Sequence, residues 1–504
     1  MKDNRVRIYP FAPGEEEYRL LRVFAEDKAV PLYCARVSKY PINRRWPGYQ
    51  RSKDQTEIAC FALLGADGPF EMRVQTEKKI KSVAVRPLRH GIVPKVENGE
   101  IRFTLPGAGA YTVEINGHHE ALHVFVDEGT EKLVPPKENV IYFGPGHHDV
   151  GLIELKSGDT LFIDEGAVVY SRVVAVDAEN ITVMGHGILD GSRNVEKILR
   201  PVGEKELAER KKGFAVSNAL REHTVWLEYC RNVKISGITM RDSLVYNIRP
   251  ACCVGLEIDG IKLIGNWRYN SDGIDMHNCR DVVIRNCFVR TYDDSICVKG
   301  FDYTQDEGDM AHNGVLYDDF RNVLVEKCVI WCDWGRALEI GAETKAREIC
   351  DVTFRDCDII RDVGGVALDV QNVDYADVHH ITFEDIRVEY DEVCQPPKLQ
   401  ITEEDSFEDV SESGYMPDLM GVHVIYIEEY SGNGTKRGKN RFITFKNIRV
   451  TAPKMPGSHF RGFDADSRSE NITVDGLWLN GERITDRRDA RLEANEFCGE
   501  ISFY

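Results

Sequence analysis

A short apolar template recurs along most of this chain and constrains its fold more than any other feature. The template reads apolar, x, apolar, x, x, and then an apolar residue or cysteine, usually with Asn, Asp or Gly just before it. Successive copies are 52, 23, 26, 41, 29, 29, 62 and 29 residues apart. The copies begin at Ile181, Val233, Leu256, Val282, Val323, Val352, Ile381, Ile443 and Ile472.

The repeat predicts stacked β-strands. Alternating β-branched residues bounded by Gly, Asn and Asp indicate strands rather than helices. A period of 23 to 29 residues with tight turns is typical of a parallel β-helix, whose coils stack at about 4.8 Å. The sequence lacks the consensus of a leucine-rich repeat, and its period is too short for a β-propeller, which needs about 40–50 residues per blade. The longer intervals represent a coil plus an inserted loop, or a coil without a recognisable template.

The chain divides into two predicted domains. Residues 1 to about 130 alternate short strand-like runs with polar turns, which predicts an antiparallel β-sandwich of about eight strands. The predicted fold is therefore all-β: a sandwich over residues 1–135 and a right-handed parallel β-helix over residues 136–504. Two charged insertions, at about 192–224 and 394–420, are either solvated surface loops or walls of a cleft.

Composition excludes several partners. The formal net charge of −19 argues against nucleic acid and anionic membranes as partners. No apolar run approaches the ~18 residues of a membrane helix. The N-terminus has no apolar signal segment, and the 14 cysteines contain no CxxC pair, which favours reduced thiols and a cytoplasmic protein. A secreted mature form stays open, and so does the oligomeric state.

A cluster of carboxylates carries the chemistry. Asp272 lies in Asn-Ser-Asp-Gly, and Asp293 and Asp294 follow Tyr292, with Lys299 five residues beyond. Asp272 and Asp293 are 21 residues apart, about one coil, so the three acids should converge on the outer face. Crowded carboxylates raise at least one pKa, so that one acid stays protonated while the others hold a water. This combination serves inverting glycoside hydrolysis.

These motifs resemble those of the polygalacturonase family of β-helix glycosidases. The similarity runs over about residues 140–500, and the N-terminal sandwich together with CVIWCDWGRALEIGAE looks more like the related dextranase and isopullulanase group. The resemblance implies that Asp293 is the general acid and that Asp272 and Asp294 activate the water. It also implies that Lys299 orients a carboxylate and that Asn270 fixes a loop or a sugar hydroxyl.

The chain departs from that family at two motifs. Where polygalacturonases have Gly-His-Gly, this chain has Gly-Arg336-Ala, and where they have Arg-Ile-Lys, it has Ala-Leu-Asp369. The family's Arg and Lys pair with the uronate carboxylate. We expect Asp369 to face the same cleft and repel a uronate, while Arg336 either restores one positive contact or pairs with a neighbouring acid.

The sequence therefore favours an exo-acting hydrolase of a neutral or only partly acidic oligosaccharide. Tyr292 and Trp334 are candidate sugar-stacking residues. No metal or cofactor is expected, since the His-His pairs lack metal-site spacing. The alternatives are an exo-polygalacturonase or other pectin-acting hydrolase, a non-catalytic glycan-binding β-helix, and a uronate lyase or epimerase.

Overall fold

Regular structure in the chain is almost entirely β-strand, as the repeat predicts. The computed structural model describes residues 5–44, 53–194, 223–301, 311–390, 396–400, 402, 405, 407, 414–428, 430–432 and 434–504. Within this part of the chain no helix is long and apolar enough to cross a membrane. The three short 3-10 helices are Lys53–Gln55, Leu88–His90 and Ser192–Asn194.

The C-terminal part is a right-handed parallel β-helix with three faces, which confirms the predicted fold class. Each strand pairs in parallel with the equivalent strand one coil away. The first face consists of Val140–Phe143, Thr160–Ile163, Glu179–Gly185, Arg231–Ser236, Val254–Asp259, Arg280–Arg285, Asp319–Glu326, Glu348–Arg355, Asp377–Glu384, Lys439–Thr451, Ser469–Leu479 and Ile501–Phe503.

The other two faces follow the first around each coil. The second face consists of Gly146–Glu154, Ala167–Val176, Ile188–Asp190, Thr239–Arg241, Lys262–Ile264, Phe288–Thr291, Val329–Cys332, Asp358–Asp362 and Arg387–Glu389. The third face extends from the end of Ala167–Val176 through Val225–Glu228, Ile248–Ala251, Ile274–His277, Ile296–Gly300, Leu338–Thr344, Val366–Asn372, Asp418–Val424, Ser458–Arg461 and Leu492–Ala494.

The nine template copies occupy one column of the first face. Their starting residues are direct neighbours in the strand pairing, from Ile181 against Val233 to Ile443 against Ile472. Copies 41, 52 and 62 residues apart are therefore adjacent coils with a loop between them, and no hidden coil is required. The Asn, Asp or Gly of the template takes a positive φ at the turn, as at Asn286 and Asp356.

The interior of the β-helix is filled by stacked apolar side chains. The cysteines and isoleucines that end the template lie in one continuous core, where they form an internal ladder. All cysteines of the described residues are free thiols. The ladder cysteines therefore act as small apolar side chains. They are Cys287, Cys328 and Cys357, which end a template copy, and Cys230, Cys253 and Cys279, which lie three residues before one.

The N-terminal part is a sandwich of a six-stranded and a five-stranded sheet. Most pairings are antiparallel as predicted, but Leu122–Glu128 runs parallel to Thr56–Ala66. The predicted boundary at residues 135 and 136 lies between Leu122–Glu128 and the first strand of the β-helix, Val140–Phe143. The strands are Val6–Ile8, Leu21–Ala25, Lys28–Val30, Tyr33–Ser38, Thr56–Ala66, Phe70–Thr76, Val83–Arg86, Lys95–Glu97, Glu100–Leu105, Gly109–Ile115 and Leu122–Glu128.

The sandwich covers the second face of the β-helix. Phe61 and Phe125 of the sandwich share one buried cluster with Phe288, Trp331 and Ile360 of that face. Among the described residues, this cluster contains β-helix residues of the second face and none of the first or third.

Three small two-stranded elements complete the part of the chain that the structure describes. Ile42–Arg44 pairs in parallel with Lys398–Gln400, Ala311–His312 forms a hairpin with Val315–Leu316, and Glu482–Ile484 folds back on the end of Ser469–Leu479. Of the two predicted insertions, the first lies mostly outside the described residues and the second partly so.

Candidate active site

The predicted acids converge at the edge of the third face, just before three neighbouring strands begin. Ile274, Ile296 and Leu338 are aligned in the strand pairing. The residues two positions earlier, Asp272, Asp294 and Arg336, therefore stack one above the other. The sequence argument paired Asp272 with Asp293, whereas the register pairs Asp272 with Asp294 and places Asp293 one residue before that column.

Two glycines allow the loops that carry these side chains to stack closely. A Cβ at Gly273 would lie 2.2 Å from the carbonyl oxygen of Ser295, and one at Gly335 would lie 2.4 Å from the backbone nitrogen of Asp294. The backbone N–H of Arg336 in turn donates to Oδ1 of Asp294 at 2.9 Å. Any larger residue at these positions would separate the coils that bring the carboxylates together.

A second column of acidic groups lies three residues further along each coil. Asp275, Cys297, Glu339 and Asp369 are aligned across four neighbouring strands, and all four side chains are buried. Sequence reasoning missed Asp275 and Glu343 and considered Glu339 only as a possible partner of Arg336. Stacking Asp275 on Cys297 and continuing one strand further along the chain would have placed Glu339 in this column.

The ammonium group of Lys299 lies among four of the acids. Its ammonium nitrogen lies 3.0 Å from Asp275, 3.4 Å from Glu343, 3.7 Å from Asp294 and 3.9 Å from Asp272. Burial opposes a charge at this position, but Asp275 and Glu343 raise the pKa of Lys299 well above its usual value. Lys299 is only 4% exposed, so it contacts carboxylates rather than presenting a surface to a sugar.

Two of the carboxyl groups, those of Asp293 and Asp272, have a raised pKa. Burial and the neighbouring charge of Asp294 raise the pKa of Asp293 to about 7, while Lys299 opposes the rise. Burial, together with Asp275 and Asp293, raises the pKa of Asp272 well above its usual value. Asp293 is half-buried, whereas Asp272 is 1% exposed. Asp293 is thus the accessible acid of the cluster that can be protonated near neutral pH.

Arg336 is held by two acids. Its Nε lies 2.8 Å from Asp369 and 3.4 Å from Glu339, and its side chain is 30% exposed. Asp369 is fully buried, so the expectation that this carboxylate faces the cleft is wrong: it lies beneath Arg336 and compensates the guanidinium charge. Gly421 makes room for it, since a Cβ there would lie 2.3 Å from Oδ1 of Asp369.

The predicted aromatic pair lies beside the acids. The rings of Tyr292 and Trp334 stack with centroids 5.8 Å apart and planes 21° apart. Tyr292 is fully buried and Trp334 is half-buried, so only the indole offers a face to a ligand. Asn270 is half-buried and turns the loop before Asp272 with a φ of 53°.

One group of side chains in the cleft has the spacing of metal ligands. Asp294, Cys297 and Glu339 each offer a ligand atom within 4.8 Å of the other two. Burial raises the pKa of the Cys297 thiol well above its usual value, and the thiol donates to Glu339 at 3.6 Å. The adjacent cations Lys299 and Arg336 already compensate these acids, so the structure gives no separate reason for an ion there.

Comparison with known proteins places this site in a family. A family model described as glycosyl hydrolases family 28 matches residues 154–413, which is just over half of the chain. A probable polygalacturonase from Vitis vinifera is 24% identical over 151 residues, covering 29% of each protein. A polygalacturonase from Brassica napus is 25% identical over 138 residues, covering 27% of this chain and 30% of that protein. The aligned part thus spans less than a third of these curated relatives.

The fold has a counterpart over its whole length. The structure of Dex49A from Penicillium minioluteum aligns with all of this chain and 97% of that chain, with a TM-score of 0.62 and 12% identity. This likeness supports the arrangement of a β-helix with an appended N-terminal domain and concerns the fold alone.

Proposed function

The chain belongs to the glycosyl hydrolases family 28, and from this membership we propose that it hydrolyses a glycosidic bond with inversion at the anomeric carbon. Inversion requires one protonated carboxylic acid beside the leaving oxygen and one carboxylate that activates water. The acid cluster of the third face offers both.

Asp293 is the proposed general acid. Its half-exposed position beside three buried acids carries this assignment, and a pKa of about 7 matches a group that must donate a proton near neutral pH. The Asp293 proton passes to the glycosidic oxygen as the bond to the anomeric carbon breaks. The departing sugar then leaves as an alcohol and Asp293 as a carboxylate.

Asp294 is the proposed base, with Asp272 beside it. The backbone N–H of Arg336 donates to Asp294 at 2.9 Å and the Lys299 ammonium lies 3.7 Å from it, so this side chain is held in place beside Asp293. Asp294 takes a proton from the attacking water while the oxygen bonds to the anomeric carbon. Burial and the neighbouring charge of Asp275 raise the pKa of Asp272, which lies 3.9 Å from Lys299.

A neutral or only partly acidic oligosaccharide is the proposed substrate. The single cation of the column, Arg336, is compensated by Asp369 and Glu339, so a uronate carboxylate there would have to compete with two acids for the guanidinium. The Trp334 ring gives a neutral sugar a stacking surface.

Cleavage from a chain end is the proposed mode of action. The insertion after the second-face strand Arg387–Glu389 returns beside the site, where the Tyr415 hydroxyl donates to the carbonyl oxygen of Gly364 at 2.8 Å. A Cβ at Gly364 would collide with the backbone of Trp334, so Tyr415 lies close to the loop that carries Trp334 and Arg336. Lys398–Gln400 of the same insertion pairs in parallel with Ile42–Arg44 of the N-terminal part. A wall at this position would narrow the cleft.

Product analysis on a panel of neutral and acidic oligosaccharides tests the proposal. We expect the enzyme to release reducing sugar from a neutral oligosaccharide, and a chelator should not change the rate. NMR at early times should show a product with inverted anomeric configuration. A single small product should form throughout the reaction. Asp293→Asn should lower the rate about 10²- to 10⁴-fold. Glu384→Gln, on the outer surface of the first face, is the matched control and should keep the wild-type rate.

Each alternative gives a different result. Efficient hydrolysis of polygalacturonate would contradict the neutral substrate, and a ladder of internal products would contradict cleavage from a chain end. An unsaturated product absorbing in the ultraviolet would identify a lyase. Binding of a glycan without any product would identify a binding protein.

A further inference from the structure

A second group of side chains with metal-ligand spacing lies on the first face, on a different sheet from the acid cluster. Cys350 and His379 are direct neighbours in the pairing of Glu348–Arg355 with Asp377–Glu384. Glu348 lies two residues before Cys350 and therefore points to the same side of its strand. Unlike the ladder cysteines, Cys350 is not part of the β-helix core.

The three side chains converge on a common point. One ligand atom of each residue lies within 4.8 Å of the other two. Oε2 of Glu348 is 3.6 Å from Nε2 of His379, while Oε1 accepts a hydrogen bond from Arg347 at 2.8 Å. Zn²⁺ binds Cys sulfur at about 2.3 Å and His nitrogen at about 2.0–2.1 Å. Small side-chain rotations would therefore close this group around an ion.

The residue after His379 lies at a turn position of the internal repeat. Its column takes a positive φ in every coil from Asn180 to Asn471 and is otherwise filled mainly by Asn, Asp and Gly, which tolerate that conformation. Two neighbouring coils carry aromatic rings in this column, His380 and Phe442, with φ of 55° and 56°. The two rings stack with centroids 5.0 Å apart, which holds the His380 ring beside His379.

His380 fixes the orientation of His379. The Nδ1 atoms of the two rings are 2.7 Å apart, so one of them must donate a proton to the other. When Nδ1 of His379 donates, its Nε2 keeps a lone pair directed toward Glu348. A partner at the far nitrogen is the usual way in which proteins orient a metal-binding histidine.

Two of the positive charges around the group are paired with acids outside it, while Arg347 bonds to Glu348 itself. Arg441, the next residue of the column after His379, forms two contacts of 2.9 Å with Asp377. Arg321, on the other side of Cys350, lies 3.5 Å from Asp319. The guanidinium groups that flank the three ligands are therefore compensated.

We propose that Glu348, Cys350 and His379 form a binding site for a zinc-type divalent cation, with water as the fourth ligand. The mixture of sulfur, nitrogen and oxygen ligands suits Zn²⁺, and Co²⁺ can replace it. On binding, Cys350 loses its thiol proton. Asp351, which accepts a hydrogen bond from that thiol at 3.3 Å, passes the proton to solvent.

Titration of the purified protein with Co²⁺ and Zn²⁺ tests the site. We expect one saturable Co²⁺ site with a thiolate-to-cobalt charge-transfer absorption, which Zn²⁺ displaces. Cys350→Ser should abolish the absorption, and His380→Ala should weaken Co²⁺ binding about 10- to 100-fold. Binding should weaken as the pH falls, because the metal competes with the thiol proton. The partly buried thiol Cys498 gives the matched control, and Cys498→Ser should leave the absorption unchanged.

Two further readouts separate this site from the acid cleft. Cys350→Ser should hydrolyse the oligosaccharide at the wild-type rate, so failure of the proposed hydrolase activity and failure of the metal site are independent results. Absence of saturable binding would overturn the proposal. Loss of the absorption in Cys297→Ser but not in Cys350→Ser would also overturn it and would place the ion in the cleft.

Discussion

At the scale of single residues, the active site depends on which carboxyl group holds a proton. Asp293 must be protonated to act, so its pKa of about 7 sets the upper limit of the active pH range. We expect kcat/KM to fall as the pH rises through about 7, because the general acid then loses its proton. A pH profile on the neutral oligosaccharide measures this limit. Activity that keeps rising above pH 8 would contradict the assignment.

Lys299 sets the ionisation of the same acids. Removing a positive charge that stabilises nearby carboxylates raises their pKa by about 1–3 units. Lys299→Met should therefore lower kcat and move the alkaline limit of activity to higher pH. Lys299→Arg keeps the charge and should restore the limit to about 7. An unchanged limit in Lys299→Met would mean that Lys299 has only a structural role.

At the scale of elements, the β-helix depends on turns that require a positive φ. Lys327 is an exposed residue at such a turn, with a φ of 54°, where the neighbouring coils carry Asn286 and Asp356. The left-handed conformation costs an L-residue about 1–2 kcal/mol, and glycine avoids that cost but loses about 0.5–1 kcal/mol through chain entropy. Lys327→Gly should therefore stabilise the protein by about 0.5–1 kcal/mol.

Thermal denaturation checks this prediction. Lys327→Val is the contrasting variant and should lower Tm, because a β-branched residue fits the turn poorly. If the glycine and valine variants had the same Tm, the turn would not be under the conformational restriction that its φ indicates.

At the scale of the whole molecule, the sandwich and the β-helix are joined by a buried ionic contact. Arg86 of the sandwich bonds to Glu114 at 2.9 Å and to Glu389 of the second face at 2.7 Å, and all three side chains are buried. Removing one partner of a buried pair costs about 3–5 kcal/mol, because the other charge stays buried without compensation. Arg86→Ala should destabilise the protein by that amount.

Calorimetry distinguishes this contact from an ordinary surface pair. Arg102→Ala, which breaks an exposed contact with Glu71, is the matched control and should cost less than about 1 kcal/mol. An equal loss of stability in the two variants would show that Arg86 does not hold the sandwich and the β-helix together.

The repeat alone determined the fold of the β-helix. The pairing of identical positions one coil apart fixes the register, so the template beginning at Ile181 and Ile472 predicted the column that the structure shows. The acids Asp272, Asp293 and Asp294 were identified by the same reasoning, because their spacing is close to one coil. What local sequence could not show was the single-residue register, which aligns Asp272 with Asp294 rather than with Asp293.

The tertiary structure alone decided which charges face the cleft. Asp369 was expected to face the cleft, but the coil before it supplies Arg336, whose guanidinium covers the carboxylate. Burial of this kind depends on side chains from three neighbouring coils, including the space left by Gly421, and no single stretch of sequence contains that information. The same holds for Glu348, Cys350 and His379: their chemistry is visible in the sequence, but only the stacking of two coils brings them to one point.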